Sequence, residues 1–326
     1  MLSFMIRAFY VVRPCLPSFF RLFLRRMVAR YRVKSVSDEW PILPGSERKP
    51  ARWEGWPGGK QFAFVLTHDV ECMRGYRRLE ALVQLETELG LRSSFNFVPE
   101  RYPVEEQVRK KLQERGFEVG VHGLKHDGKL YSSREEFLRR AEKINQYARE
   151  WGSVGFRSPS MHHNLDWLLD LDFQYDASTF DTDPFEPQPD GIGTIFPVWI
   201  PGRRGRPGYI ELPYTLPQDV TVFAIFSHRD VSMWKRKLDW IAQHGGMALI
   251  NTHPDYMYLG AEKEELDEYP LAFYRDFLEY AQSRYSDVYW HALPSEVAQF
   301  WRSRSISPEE DFQRILPQSN FPSPSS

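Results

Sequence analysis

Cysteine is scarce, with only Cys15 and Cys72 among 326 residues. Two thiols cannot build a disulfide scaffold, and usage this low suits a reducing compartment. Long apolar runs are also missing. The stretch MLSFMIRAFYVVRPCLPSFFRLFLRRMVARYRV is broken every few residues by arginine, whereas a membrane-spanning helix needs roughly 20 apolar residues and a secretory signal a core of about 7–15. Both are therefore rejected, and the cytoplasm or the inner face of the membrane is the expected location. No G-x-S-x-G elbow occurs, which removes the usual serine hydrolase. No glycine-rich phosphate loop occurs either, so neither a kinase nor a dehydrogenase is expected. Acidic residues are absent from positions 1–34, which hold seven arginines and Lys34. That segment is +8, so the remaining residues carry −10 against an overall charge of −2. An acidic body argues against nucleic acid as a partner.

What is present suits a large globular domain. Hydrophobic residues make up 42% of the chain and aromatics 15%, enough to bury a substantial core, while 24 Pro and 20 Gly imply many loops. Residues 1–56 read as a basic segment and linker, 57–304 as one folded unit, and 305–326 as a Pro/Ser-rich disordered tail. Ser18 to Val33 interleaves Phe, Leu, Met and Val with arginine and reads as a cationic helix. Such a helix either lies on an anionic membrane surface or packs its apolar face on the rest of the chain. Strands are expected at Gln61–Leu66, Ser94–Val98, Phe117–Val121, Gly155–Arg157, Thr221–Phe226, Ala248–Asn251 and Val288–His291. Helices are expected at Arg77–Gly90, Val104–Arg115, Ser133–Trp151, Leu271–Arg284 and Ser295–Arg302. Short apolar strands alternating with helices indicate an α/β fold around a mostly parallel sheet, open or closed into a barrel.

Polar clusters follow several of these strands: Thr67-His68-Asp69-Val70-Glu71, His122-Gly123-Leu124-Lys125-His126, Arg157-Ser158-Pro159 and Asn251-Thr252-His253. The C-terminal edge of parallel strands is where α/β active sites gather. His122 and His126 are spaced i, i+4, which would bring two imidazoles onto one face of a helical turn and within reach of one metal ion. A carboxylate from a neighbouring strand end would complete a three-ligand, open site.

In order along the chain, these motifs and Asp176-Ala177-Ser178 resemble those of the polysaccharide deacetylases with a NodB-type homology domain. The Thr-His-Asp-Val-Glu variant and the following His-Pro-Asp-Tyr are similar to a subgroup associated with bacterial O-antigen and surface-polysaccharide gene clusters. The resemblance implies a distorted, incomplete (β/α) barrel of seven strands. It also implies a metal-dependent hydrolase that removes the acetyl group from an N-acetylated sugar or glycan. On that basis Asp69 is the general base, Arg157 orients it, His253 is the general acid and Asp176 supports His253. His122 and His126 hold the metal, expected to be Zn, with Co, Ni or Mn as alternatives. The family's second aspartate falls on Val70, which cannot ligate. Glu71 lies one residue on, and residues 69 and 71 share a side in an extended strand. Glu71 therefore either ligates while Asp69 acts as base, or Asp69 ligates and Glu71 or His68 acts as base.

The chemistry fits these residue types. A metal polarises an inert amide carbonyl and makes water acidic, a carboxylate takes the water proton, and a protonated histidine lets the amine leave. Trp167, Tyr214 and Tyr256 are candidates for a sugar-stacking wall and His228 for a site-lining residue, each set against ordinary packing. Two other functions remain open: hydrolysis of a different non-peptide C–N bond, and an inactive barrel that binds glycan. Residues 1–34 are a candidate peripheral membrane contact.

Overall fold

Strand β1 (Phe62–Val70) forms the centre of the structure, and all nine of its residues are buried. The computed structural model describes residues 18–34, 36, 39–203, 205–260 and 265–304. The basic residues 1–17 and the expected tail at 305–326 lie outside that set. Along one edge β1 pairs with β8 (Met247–Thr252) from Ala63 to His68. Its other edge is shared by β9 (Tyr289–His291) at the start and β2 (Ser94–Phe97) at the end. The sheet continues in parallel through β3 (Glu118–His122), β4 (Gly155–Arg157), β5 (Tyr175–Asp176) and β7 (Tyr209–Glu211). Antiparallel β6 (Val198–Ile200) completes it. Between β7 and β8 there is no ladder; single bonds such as Thr215 N→Leu249 O (3.0 Å) bridge the gap. The result is the expected incomplete (β/α) barrel, with nine strands in the sheet rather than seven.

Helices cover the outside: α1 (Ser18–Val33), α2 (Met73–Glu88), α3 (Glu106–Glu114), α4 (Arg134–Trp151), α5 (Ser232–His244), α6 (Leu271–Tyr285) and α7 (Pro294–Ser303). Local chemistry places their ends. Ser133 caps α4 by accepting from Glu136 N at 3.1 Å, as the Ser/Glu spacing predicts. Gly152 and Gly245 end α4 and α5 in the left-handed region.

One sequence expectation fails. Thr221–Phe226 is not a strand but part of a π-helical turn, Val220–Ile225. A short apolar run fits a buried strand or a buried helical turn equally well. The preceding residue decides it here, because the Asp219 carboxylate accepts from Val220 N (2.8 Å) and starts the turn.

The two faces of β1 are both occupied by polar groups near its end. Thr67 and Asp69 point into the barrel, toward Arg157 and Asn251. His68 points outward, where Nδ1 meets Thr252 Oγ1 (2.7 Å) and Nε2 meets Glu86 Oε1 (2.8 Å) on α2. Ser93 and Tyr274 donate to the same Glu86 carboxylate. Every member of this network is buried, so its hydrogen bonds offset what would otherwise be a large desolvation cost.

The Trp40–Trp56 stretch is loop, as its composition predicts, but it is bonded to the barrel. Lys237 Nζ donates to Pro41 O (2.6 Å), Trp56 Nε1 to Gly245 O (2.8 Å) and Ile195 N to Ser46 O (3.0 Å). The α1 helix lies over the π-helical turn, burying Leu22 and Ala29. Among the described residues no helix is long and apolar enough to cross a membrane.

Candidate active site

Four strand ends and the loops after them converge at one rim of the barrel. The sharpest cluster is Glu71, His122 and His126, which offer one ligand atom each, all within 4.8 Å of one another. His122 closes β3, and its Nδ1 bonds Arg157 O (3.1 Å), which turns Nε2 toward the cluster. The i, i+4 spacing works without a helix. The chain reverses through Gly123 (φ +61°) and reaches His126 at φ +53°, so a loop brings the rings together at 5.2 Å. His126 Nε2 lies 2.9 Å from Glu71 Oε1. His122 Nε2 is buried without a hydrogen-bond partner, and buried His126 Nε2 has the Glu71 carboxylate as its neighbour but no well-aligned hydrogen bond to it.

Burial, only partly opposed by Asp69, pulls His122 down to a pKa of about 4, so its imidazole is neutral. Burial would raise Glu71, but the neighbouring His126 outweighs it and keeps the carboxylate ionised, well below its ordinary range. Two imidazoles and a carboxylate, with one ring nitrogen orphaned, are a donor set suited to zinc and neighbouring divalent ions. The residues present therefore fit such an ion.

Asp69 stands beside the cluster, its Oδ2 4.0 Å from His122 Nε2 and 3.9 Å from His253 Nε2. Three side chains hold it. Asn96 Nδ2 and Arg157 NH1 donate to Oδ1 (2.9 and 3.2 Å), and Asn251 Nδ2 donates to Oδ2 (2.9 Å). Burial would push its carboxyl up, but Arg157, His122 and His253 prevail and hold it well below the usual carboxylate range. Arg157 is fully buried and is itself fixed by Ala177 O, Thr67 Oγ1 and Asn251 Oδ1.

His253 lies on the other side of Asp69. Its Nδ1 meets Asp219 Oδ1 at 2.7 Å, and its backbone N–H donates to Asp219 Oδ2, also at 2.7 Å. Tyr269 also donates to Asp219 Oδ2 (3.0 Å). Burial would lower this imidazole, yet Asp219, Glu71 and Asp69 together raise it to about 10. At neutral pH His253 is thus an imidazolium with Nε2–H facing Asp69.

The carboxylate beneath His253 is therefore Asp219, whereas the sequence motif pointed to Asp176. Asp176 binds Ser178 N and Oγ (2.9 and 2.7 Å) and abuts Glu211, whose carboxyl burial and Asp176 together push well up. Asp219 does not stand out in the sequence, because the apolar run after it reads as a strand. An acidic residue immediately before such a run was the available signal for a cap. Asn96 carries no spacing signature in the sequence, and Asn251, although it opens the Asn251-Thr252-His253 cluster, has no role assigned by it.

The remaining candidates divide. Tyr256 belongs to the site: its Oη is 3.3 Å from Glu71 Oε2, and its ring meets His253 edge-on at 5.5 Å. Tyr214 does not form a wall, because it is buried and its hydroxyl donates to Asp183 (2.9 Å) and Glu186 (3.1 Å). Trp167 stacks on Tyr131 at 6.1 Å and carries Arg134 over its ring, which is a packing role. His228 meets Phe226 edge-on at 6.3 Å, and no hydrogen bond or ring contact joins it to the cluster. His68 faces away from the cluster, into its own network, so it is not a base.

No family model and no curated protein matches this chain. Solved structures do resemble it. A Mycobacterium smegmatis protein described as a polysaccharide deacetylase aligns at TM-score 0.61 and 17% identity, over 80% of this chain and 96% of its own. A Pseudomonas aeruginosa PAO1 protein described in the same terms gives 0.56 and 17%, over 77% and 95%. An allantoinase, PuuE, gives 0.55 and 17%, over 77% and 93%. At such identity the likeness establishes a shared incomplete barrel.

Proposed function

We propose that this chain is a metal-dependent hydrolase that removes the acetyl group from an N-acetylated carbohydrate, a precursor of a bacterial surface glycan such as O-antigen. The observation that carries this reading is the pairing of the Glu71/His122/His126 cluster with Asp69 and His253 on the rim of a barrel similar to those of proteins described as polysaccharide deacetylases. Glu71, His122 and His126 would hold the ion. A bound divalent ion supplies Lewis-acid polarisation of the amide carbonyl and makes water acidic near neutral pH.

The protein's own groups do the rest. Asp69, oriented by Arg157, Asn96 and Asn251, accepts the proton of the attacking water. His253 donates from Nε2 to the departing amine, and Asp219 holds its tautomer and charge. Glu71 stands in for the ligand that Val70 cannot provide, which favours an active barrel over an inactive glycan binder. Tyr256 stands beside Glu71, its hydroxyl 3.3 Å from Oε2.

Hydrolysis of another non-peptide C–N bond is the second reading, favoured by the likeness to an allantoinase. Metal content of the purified chain and of a His122→Ala/His126→Ala variant tests the ion first, with about one divalent ion expected in the former and none in the latter. An acetate-release screen on acetylated sugars follows, beside an ammonia-release screen on ureides. Less than about a tenth of an ion after zinc or cobalt loading would overturn the hydrolase.

A further inference from the structure

The π-helical turn is covered by α1, and α1 has two unlike faces. Leu22 and Ala29, seven residues apart, are buried; Leu22 packs in one cluster with Val220, Ala224 and Tyr256. Arg26 Nε donates to Ala224 O (2.9 Å), and Arg32 NH1 donates to Pro184 O (2.9 Å) and Glu186 O (2.8 Å), so the helix is pinned to the barrel. The opposite face carries Phe23, Met27 and Tyr31, spaced four apart on one line and exposed to 54, 52 and 69%. Val28 is exposed as well, and Arg30 and Lys34 flank the stripe.

We propose that the outward face of α1 is a docking surface for an anionic lipid membrane. Charge complementarity selects that partner. Large apolar side chains set among arginines suit the boundary between headgroups and acyl chains, where the rings and thioether are buried and the guanidinium groups reach anionic headgroups. Residues 18–34 contribute +6 with no acid, while residues 35–326, at −10 in sum, are on balance repelled by the same surface. Charge and exposed apolar surface thus coincide on this face of the helix.

Docking would also aim the candidate site. Tyr256, which shares the cluster of Leu22 beneath α1, reaches Glu71 Oε2 at 3.3 Å. The rim that bears Glu71, His122 and His126 thus lies close to the docked helix, within reach of a sugar carried on a lipid. That last clause rests on the hydrolase reading; the docking itself does not.

The test is sedimentation of the full chain with vesicles of phosphatidylcholine alone and of phosphatidylcholine mixed with phosphatidylglycerol, at low and high NaCl. Binding is expected on the anionic vesicles alone and to weaken with salt. Met27→Glu/Tyr31→Glu is expected to lower it about tenfold or more, with thermal midpoint and metal content unchanged. No binding to anionic vesicles, or equal binding by the variant, overturns the docking surface even if acetate release is intact. Loss of acetate release with sedimentation intact overturns the hydrolase and leaves the surface standing.

Discussion

Asp69 and His253 illustrate how the same burial leaves one group a firm anion and the other a firm cation. Neither could persist alone in the interior; together, with Arg157 and Asp219, they form an alternating row of charges in which each is compensated. The carboxylate that holds His253 determines how long that cation survives as pH rises. Its pKa of about 10 lies above the ~6.5 of an unfolded histidine. The stabilisation it brings is thus complete below about 6.5 and disappears as pH rises through about 10. Asp219→Asn is expected to move the alkaline limb of the kcat profile to lower pH and to reduce kcat by about 10²-fold or more, whereas Asp176→Asn should leave that limb in place. A pH–rate profile of both variants checks this, and a shift in Asp176→Asn alone would reverse the assignment. His122, His126, Asp69, Arg157 and His253 stand out in the sequence as polar residues at or just after the ends of short apolar runs, and the resemblance to the deacetylases supplies the roles expected of them. Asp219 does not stand out, since it reaches His253 from a different segment and only the fold brings positions 219 and 253 together.

Elements were legible where period and caps agreed. The helix at α4 announces itself through Ser133 and Glu136, and the strands at β2, β3, β4 and β8 through short runs between polar residues. The π-helical turn and the loop joining His122 to His126 were not, because neither has a period of its own. That loop depends on Gly123, where φ is +61° and an added Cβ would come within 2.5 Å of Pro159 Cδ and Cγ. Gly123→Ala is expected to cost about 1–3 kcal/mol in stability, from the left-handed backbone and the clash with Pro159. Because the strain falls between the two histidines, zinc affinity should drop as well. Chemical denaturation of the metal-free protein and zinc titration would separate the two effects; unchanged values in both would show that the loop does not set the cluster.

For the whole molecule, the important distinction is between interior and rim. One continuous core runs from Trp56 to Trp301, and none of Glu71, His122 and His126 belongs to it. Zinc is therefore expected to add stability by linkage rather than to license folding. At about 100 times its Kd an ion contributes roughly 2.7 kcal/mol, a rise in Tm of about 5 °C for a domain of this size. Scanning calorimetry with and without a chelator measures it, and the His122→Ala/His126→Ala protein should show no shift. Complete unfolding by the chelator would mean that the rim, not the core, carries the fold.

The polar residues on both faces at the end of β1 carry a consequence for how the chain finds its native alignment. Because side chains alternate, sliding β1 by one residue against its neighbours would turn Asp69 outward among α2 and α6 and bring His68 inward beside Arg157. Glu86 would then face a carboxylate and Arg157 an imidazole, with like charges paired on one side and a buried cation stranded on the other. An all-apolar strand of this length could tolerate several alignments. This one is proofread by charge, so that the arrangement that completes the core is also the only one that assembles the site.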